Sequence, residues 1–420
     1  IKDIKNRVTS NHQKTKIKDI LEKTGRDTSQ LPKSQQEGIF YPTRKIRVPV
    51  NKKNVLKSGI VKKEDADKIV SYIDIDLPET ALLKNQMIML DILANNDWER
   101  PIYFTGGSYD DSEYLWMKKY LQLEGLVYKL VPIETNLGKE NPYIMGRIDS
   151  ELMYEIVMKW NWGNSERTDI YHDPETRKNS ISFRSNMARL SELLINEDKF
   201  EKAKTIMDLA IEKMPIDYFG YYSLLVPFVD GYYRIDNVNK AKDLSKKIAY
   251  KYADRLNYFS SLNANEQYQL GEEILTEIER YRALIEADLK HNEKSDLYTS
   301  LNQFVAAITP FRYLYGDYEF YTSLIDVAEG YYLIGEVEIA QNLSKKIADQ
   351  FSERMKLFAQ FPPSNQTQIQ DRIKKEWSAY NYFLQIINSF DESSFFNTLE
   401  DQYNSNINLF NPESAPQEKE

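Results

Sequence analysis

Residues 231–249 read GYYRIDNVNKAKDLSKKIA, and residues 330–348, which lie 99 positions later, read GYYLIGEVEIAQNLSKKIA. When both segments are extended to Phe259 and Phe358, 14 of 29 aligned positions are identical. Each copy has an aromatic pair, a short polar turn and then a helix that opens with an alanine-containing motif. This pattern is typical of tetratricopeptide-type helical hairpins. The two segments therefore predict helical repeats in the second half of the chain.

A fainter copy, LLINEDKFEKA, lies ahead of them at residues 193–203. One alanine recurs in each copy and would allow close helix approach, at Ala203, Ala241 and Ala340. A spacing of 99 residues is about three repeat units, but the intervening sequence has the apolar pattern of long helices at 266–290 and 368–388. We therefore predict an irregular tetratricopeptide-like α-helical solenoid over residues 181–403.

The first half of the chain has a different pattern. Residues 45–50 and 72–77 alternate apolar and polar side chains, as half-buried strands do, and Pro49 favours an edge position. Residues 81–95 have helical spacing, with one apolar stripe that includes Met87 and Leu90. A second stripe, Ile88 and Ile92, predicts that this helix is covered on two sides.

A strand, helix and strand follow in the predicted order. Residues 102–104 are predicted to form a central strand, residues 106–108 a turn, and residues 114–123 an amphipathic helix that Gly125 caps. Residues 126–132 form a further strand, which favours a small sheet with a right-handed crossover. We predict a small α/β domain for this part of the chain.

The predicted fold class is α+β overall and mainly α, with two or three domains possible at 420 residues. The predicted segments are a polar helix and linker at 1–39, the small α/β domain at 40–147 and a connecting helix and loop at 148–180. The helical repeat domain follows at 181–403, and a disordered tail at 404–420.

Composition excludes several classes of function. A formal net charge of -9 and a pI near 5.3 argue against a nucleic-acid partner. There is no cysteine, and the three histidines have no metal-ligand spacing, so no cofactor or metal is predicted. No apolar window of about 18 residues exists for a membrane span. Because the chain begins at Ile1 without the pattern of a signal peptide, we interpret it as a piece of a longer protein.

Three groups of residues are candidates for chemistry, and each has a structural alternative. An acidic group could supply paired carboxylates or could occupy helix starts and turns; it comprises Asp91, Asp97, Glu99, Asp110, Asp111 and Glu113. A glycine-rich turn at 106–108 could bind an anion or could be a simple turn. Four tryptophans could stack on a sugar or pack in cores, at Trp98, Trp116, Trp160 and Trp162.

The candidates for a ligand site or an interface lie in two places. Arg100 could pair with a carboxylate of the protein or of a ligand, next to Asp97 and Trp98. The repeated tyrosine pairs could line a peptide groove or pack between helices, at Tyr232, Tyr233, Tyr331 and Tyr332.

Several sequence blocks resemble the soluble C-terminal region of a bacterial family of multi-pass membrane proteins related to protein O-mannosyltransferases. These blocks are FYPTRKIRV, KSGIV, MLDILANNDWERPIYF and YLQLEGLVY, at residues 40–48, 57–61, 89–104 and 120–128. The resemblance continues through residues 153–162 and 183–190 into the tetratricopeptide-like part.

Proteins of this family look like glycosyltransferases of the GT-C type. The resemblance implies an N-terminal bundle of membrane helices that holds a lipid-linked sugar donor, with a catalytic acid in an external loop. No motif of that bundle occurs here, so no catalytic residue is carried over. The resemblance implies that this fragment is not catalytic by itself and that its parent protein is a glycosyltransferase.

The leading hypothesis is an extracytoplasmic module, periplasmic and tethered to the inner membrane, that recruits a protein acceptor through helical repeats. Its partners would be its own upstream membrane domain and the acceptor protein or peptide. The alternative is a stand-alone tetratricopeptide-like interaction scaffold of the cell envelope. A third hypothesis is a carbohydrate-active enzyme that uses carboxylates near Trp98.

Overall fold

The computed structural model describes residues 15–16, 45–77, 84–105, 115–137, 145–291, 294–362, 366, 368–391 and 394–410. The chain divides into two compact units, Ile1–Phe219 and Gly220–Glu420. The described part of the first unit combines short strands with helices, and that of the second is helical. The predicted fold class, α+β and mainly α, is confirmed.

The first unit contains a three-stranded sheet. Its strands are β1 (Thr15–Lys16), β2 (Lys45–Pro49) and β3 (Tyr72–Asp76), in the order β1-β2-β3. Strand β2 pairs in parallel with β1 and antiparallel with β3. The strands predicted at 45–50 and 72–77 are confirmed, with one buried face formed by Ile46, Val48, Ile73 and Ile75.

Two expectations for this sheet are wrong. Thr15 and Lys16 form a strand where a polar helix was predicted; the rest of residues 1–39 lies outside the described residues. Strand β2 lies between two neighbours and is not at the edge. Pro49 is tolerated because β1 is in register only with Ile46 and Arg47, so no ladder hydrogen bond to β1 is lost at the proline.

The second sheet has four strands, in the order β4-β6-β5-β7. They are β4 (Tyr103–Thr105), β5 (Leu121–Glu124), β6 (Val127–Leu130) and β7 (Arg147–Ile148). The β4–β6 and β5–β6 pairs are antiparallel, and β5–β7 is parallel. The strand predicted to be central is therefore an edge strand, and its antiparallel pairing with β6 contradicts the predicted crossover.

The helix predicted over residues 114–123 is also wrong. Leu115–Tyr120 form a 3-10 helix, and the chain then continues as β5. Met117 and Leu121 are spaced as on a helix, but both edges of β5 are paired, which satisfies its backbone groups. Gly125 lies in the β5–β6 turn at a φ of +67° and does not cap a helix.

Seven helices complete the described part of the first unit: α1 (Lys52–Lys57), α2 (Lys84–Asn95), α3 (Ser150–Met158), α4 (Pro174–Lys178), α5 (Ser180–Asn196), α6 (Phe200–Lys213) and α7 (Ile216–Phe219), with a 3-10 turn at Lys63–Lys68. Helix α2 was predicted, and Leu90 on its first stripe is buried. Ile88 and Ile92 are 54% and 53% exposed. The described residues therefore cover α2 on one side only, and the second covered side remains a prediction.

The described part of the second unit contains α8 (Val226–Arg234), α9 (Val238–Ser261), α10 (Ala264–Gln269), α11 (Gly271–His291), α12 (Lys294–Ile308), α13 (Arg312–Tyr315), α14 (Asp317–Ile334), α15 (Val337–Ala359), α16 (Gln370–Phe390) and α17 (Ser394–Asn408), with 3-10 turns at Tyr222–Leu225 and Thr309–Phe311. The helix predicted at 266–290 is interrupted at Leu270. The short α10 begins with a capping box of Asn263 and Glu266.

The end of the described chain is ordered further than expected. Residues 404–408 belong to α17, where a disordered tail was predicted. Asn406 is 1% exposed, and its amide nitrogen donates to the Ser352 hydroxyl at 3.0 Å. Because a buried amide needs hydrogen-bond partners, this contact attaches the end of α17 to α15. Residues 411–420 lie outside the described part.

The 99-residue repeat comprises four packed helices in each copy. Helices α11 and α16 begin and end 99 residues apart. In the first copy α9 packs against α8, α11 and α12, and in the second α15 packs against α14, α16 and α17. The same arrangement thus occurs twice, and the irregular solenoid remains a prediction.

Candidate functional site

A polar turn follows helix α2 and contains the first group of candidate residues. Asp97 and Trp98 have positive φ angles of 44° and 61°. The side-chain amides of Asn51 and Asn54 donate to Asp97 Oδ2 at 2.9 and 3.1 Å, and Asn54 also donates to the Asp97 carbonyl at 3.0 Å. The Ser58 hydroxyl donates to the Trp98 carbonyl at 3.1 Å. The Asp97 carboxylate therefore joins the turn to α1.

Trp98 and Arg100 have opposite environments in this turn. Trp98 is 4% exposed, and its indole N–H donates to the Pro49 carbonyl at 2.8 Å. The Arg100 backbone exchanges hydrogen bonds with the side chain of Asn96. The Arg100 guanidinium is exposed and forms no ion pair with the residues that the structure describes. Asp97, Glu99 and Arg100 are thus the candidates of this turn that reach the surface.

The other candidates that the structure describes in the first unit do not lie together. Trp160 and Trp162 pack together at 5.5 Å between ring centroids, and Phe183 contacts both rings. Trp98 is buried elsewhere, so a sugar-stacking surface that includes its ring is not formed. The side chains of Trp116, Asp110, Asp111 and Glu113 and the turn at 106–108 lie outside the described residues. Within the described part, no group of three potential ligands could hold a metal ion.

Three helical hairpins share one turn, at α5–α6, α8–α9 and α14–α15. The turn residue has a positive φ in each case, at 57°, 59° and 86° for Asp198, Asp236 and Gly335. The next backbone N–H donates to a carbonyl five residues earlier, at 2.8 or 2.9 Å. The alanine of each copy is fully buried. The fainter copy at 193–203 is therefore confirmed as a helical hairpin with the same turn.

The first tyrosine of each repeated pair belongs to the core. Tyr232 and Tyr331 are 1% and 4% exposed. The Tyr331 hydroxyl donates to the side-chain oxygen of Asn302 at 3.1 Å. These two rings are buried against other residues of their own unit. This agrees with the alternative that they pack between helices and do not line a peptide groove.

The second tyrosine of each pair stacks on a ring at the end of a later helix. Tyr233 stacks on His291 at 4.5 Å between ring centroids, and Tyr332 stacks on Phe390 at 5.6 Å. His291 and Phe390 occupy equivalent positions, the last residues of α11 and α16. The two copies thus use the same stacking contact.

Each of these tyrosines also lies beside a buried aspartate. In the first copy the Ser245 hydroxyl donates to Asp288 at 2.6 Å, and both line a small cavity of about 10 Å3 with Tyr233. Burial raises the pKa of Asp288 to about 6. Burial disfavours the charged carboxylate, and this effect outweighs the hydrogen bond from Ser245, which by itself lowers the pKa.

The second copy also places an aspartate near its tyrosine, but from a different position, because Ile387 stands where the first copy has Asp288. Asp391 is 7% exposed and accepts a hydrogen bond from Gln341 at 2.7 Å. Burial, followed by the charge of Asp391, raises the pKa of Tyr332 to about 12. Lys242 occupies the position equivalent to Gln341, and it lines the cavity beside Asp288. At this position the second copy thus has the amide of Gln341, and the first copy has the cation of Lys242.

In both copies a buried glutamate faces an arginine, and the sequence reasoning missed this pair. Glu277 and Glu376 are 3% and 0% exposed. Arg354 Nε lies 2.9 Å from Glu376, whereas Arg255 Nε lies 3.9 Å from Glu277. The signal was present in the sequence, because Arg and Glu are 22 residues apart in both copies and the copies are 99 residues apart.

The surface of the second unit exposes many aromatic rings. Six tyrosines are at least 41% exposed: Tyr221, Tyr250, Tyr258, Tyr268, Tyr298 and Tyr313. Tyr382 adds a seventh at 52%. Tyrosine is enriched at protein interfaces because it offers a large apolar ring with a polar end. The sequence composition indicated the abundance of tyrosine but not which rings are exposed.

Comparison with known protein families gives a match to the first part of the chain. Residues 1–152 match the family model described as TMEM260-associated domain 2, which is about a third of the 420 residues. This description links the matched part to a membrane protein, and it is consistent with a module of such a protein. The comparisons with curated proteins and with solved structures found no match. Among the described residues, no helix is both long and apolar enough to cross a membrane.

Proposed function

We propose that this chain is a non-catalytic extracytoplasmic module of a membrane-embedded glycosyltransferase of the GT-C type. The family match supports the association with a membrane protein, since its description names one. The four sequence blocks that carry the resemblance, at 40–48, 57–61, 89–104 and 120–128, all fall within the matched residues 1–152. The proposed location is the periplasmic face of the inner membrane, next to the protein's own membrane domain.

We further propose that the helical repeats recruit or position a protein acceptor. The observation that carries this step is the duplicated four-helix set of the second unit together with its exposed tyrosines. Stacked helical repeats present extended surfaces to which polypeptides bind. Tyrosine is one of the residues enriched among the side chains that contribute most binding energy at protein interfaces.

The test is a deletion in the complete reading frame that contains this chain. Removing residues 220–408 should lower glycosylation of envelope proteins, measured by mass spectrometry, while the lipid-linked sugar donor stays at its normal level. A matched variant in which Tyr250, Tyr258 and Tyr268 are changed to serine should lower it in part. Unchanged glycosylation in both variants would refute the recruiting role.

The same experiment distinguishes the alternative function. A reading frame without membrane helices would favour a stand-alone tetratricopeptide-like scaffold of the cell envelope, which the repeats alone would also explain. In that case the deletion should change the partners that copurify with the protein and leave glycosylation unaffected.

A further inference from the structure

The first unit contains a polar cavity of about 260 Å3 that neither the resemblance nor the candidate residues anticipated. Strands β5, β6 and β7, the segment 59–65 and the start of α3 supply its lining. Two of its polar side chains are almost fully buried, Gln122 at 5% exposed and Lys129 at 6%. Burying such groups costs free energy unless they form hydrogen bonds or ion pairs. The partners of the donors and acceptors in the lining therefore indicate which of these groups could bind a ligand.

The three carboxylates of the lining each have strong donors. Asp65 accepts from Lys68 at 2.6 Å, and this hydrogen bond lowers the pKa of Asp65. Asp149 accepts from the backbone N–H of Leu152 at 3.0 Å and pairs with Lys62 at 2.8 Å.

Glu124 accepts from Gln122 at 2.8 Å and contacts Lys129. All three carboxylates are therefore paired within the described residues, and the acceptors of the lining are largely used.

The cationic donors of the lining are not satisfied to the same extent. Both terminal nitrogens of Arg147 donate to one atom, Asp65 Oδ2, at 3.3 and 3.4 Å. These distances are longer than the usual value of about 2.9 Å, and a guanidinium carries about five N–H donors. The Arg147 side chain is only 20% exposed. Among the described residues, it thus lacks a second acceptor.

The charged groups of the lining balance one another, because Asp65, Glu124 and Asp149 face Lys62, Lys129 and Arg147. Lys68 lies outside the lining but also pairs with Asp65, so this carboxylate serves two cations, Lys68 through Oδ1 and Arg147 through Oδ2. A carboxylate ligand would supply Arg147 with the acceptor atoms that Asp65 alone does not provide.

We propose that this cavity binds one carboxylate group on a short, partly apolar stem, with the Arg147 guanidinium as its anchor. A planar carboxylate matches the fork of an arginine and can accept two parallel hydrogen bonds. Ile60, Val61 and Ile133 supply apolar walls for the stem. The volume is below the range of about 300–1,000 Å3 for drug-sized ligands, so the group is a small free acid or the C-terminal end of a polypeptide. This inference does not depend on the proposed function.

The test uses the whole 420-residue chain and isothermal titration calorimetry. The probes are butyrate and its uncharged analogue butyramide, and a short alanine peptide with a free or an amidated C-terminus. We expect the free acids to bind saturably and the amides not to bind. Tighter binding of the peptide acid than of butyrate would identify a polypeptide end, and the reverse a free acid.

The variant Arg147→Gln should weaken butyrate binding at least about tenfold, which corresponds to about 1.4 kcal/mol. The matched control is Arg167→Gln, because Arg167 also forms two hydrogen bonds with one aspartate, Asp169, but at the exposed surface. The control should bind butyrate as the unchanged protein does. Equal affinity of Arg147→Gln and the control, or equal binding of acids and amides, would overturn the proposal.

If circular dichroism shows that Arg147→Gln is unfolded, two variants of Lys62 test the proposal instead. Lys62 is 45% exposed at the rim of the cavity, so we expect its replacement to disturb the fold less than that of Arg147, which is 20% exposed. Lys62→Glu adds a negative charge and should weaken butyrate binding more than Lys62→Gln does. Equal affinity of the two, or no saturable binding of any acid by the unchanged protein, would also overturn the proposal.

Discussion

At the scale of single residues, the second unit buries charges whose state depends on pH. Asp288 is 9% exposed, and burial raises its pKa to about 6. In the unfolded chain an aspartate has a pKa of about 3.9. Between these values the folded state binds the proton that the unfolded state has released, so stability from this group is present at low pH and is lost as the pH rises through about 6.

The variant Asp288→Asn should therefore be more stable than the unchanged protein at pH 8 and no more stable at pH 4. The pKa difference of about two units sets an upper limit of about 3 kcal/mol on the gain at pH 8. Urea unfolding followed by circular dichroism at a series of pH values measures it. Asp254→Asn, at an exposed position of α9, is the control and should show no such difference. A gain that is equal at both pH values would contradict this account.

The duplicated arginine–glutamate pairs offer an internal comparison. Arg354 pairs with the fully buried Glu376, and neither of its terminal nitrogens has a hydrogen-bond partner among the described residues. Arg255 is 40% exposed, and Glu277 also accepts from the Tyr222 hydroxyl at 2.8 Å. Loss of the arginine thus leaves the carboxylate unpaired in the second copy only.

We expect Arg354→Met to lower the free energy of unfolding by about 3–5 kcal/mol, the cost of an unpaired buried charge. Arg255→Met should lower it by about 1 kcal/mol or less, as for a partly exposed pair. Chemical denaturation of the two variants measures the difference. Similar losses would show that the two pairs do not differ in the way that their burial indicates.

At the scale of elements, the hairpin turns require a residue with positive φ. Gly335 has a φ of +86° at the end of α14, and no atom lies within 4 Å of where a Cβ would be. A clash is therefore absent, and only the backbone conformation opposes a side chain. Asp198 and Asp236 adopt the same turn at lower φ values, which aspartate tolerates better than most residues.

Gly335→Ala should therefore destabilise the protein by about 1 kcal/mol. The matched change Gly271→Ala, at the start of α11 where φ is not positive and space is also open, should be neutral or slightly stabilising. Thermal unfolding of both variants measures the two effects. Equal shifts in melting temperature would mean that the turn conformation does not carry the cost.

At the scale of the whole molecule, the helices of the second unit pack against one another. Its two copies of four helices pack within themselves, and α14 also packs against α11 and α12. In such arrays, stability is approximately the sum of the repeats and of the interfaces between neighbours. The unit should therefore hold its fold without the first 219 residues.

We expect a fragment of residues 220–420 to fold and to unfold cooperatively, as measured by circular dichroism during heating. A fragment of residues 264–420 lacks α8 and α9, which α11 and α12 need as packing partners. It should have a clearly lower melting temperature. An unfolded 220–420 fragment would contradict the division of the chain at Phe219 and Gly220.

The sequence alone was sufficient for features that depend on local pattern. The 99-residue repeat, the strands at 45–50 and 72–77 and the helix at 81–95 follow from periodicity, which is a property of neighbouring residues. The turn at Asp97 followed from the polar residues at the end of a helix. The repeated tyrosine pairs were also located by sequence, because the repeat itself marks them.

Only the tertiary structure decided which distant groups meet. It paired Tyr233 with His291 and Asp288, joined Arg147 to Asp65 across 82 residues, and left Ile88 uncovered by described residues on a helix whose pattern predicted burial. It also made β5 a strand where the spacing predicted a helix, because pairing on both edges outweighed local preference. Local periodicity records which face of a segment is apolar, whereas burial, pairing and pKa depend on what the rest of the chain places against that face.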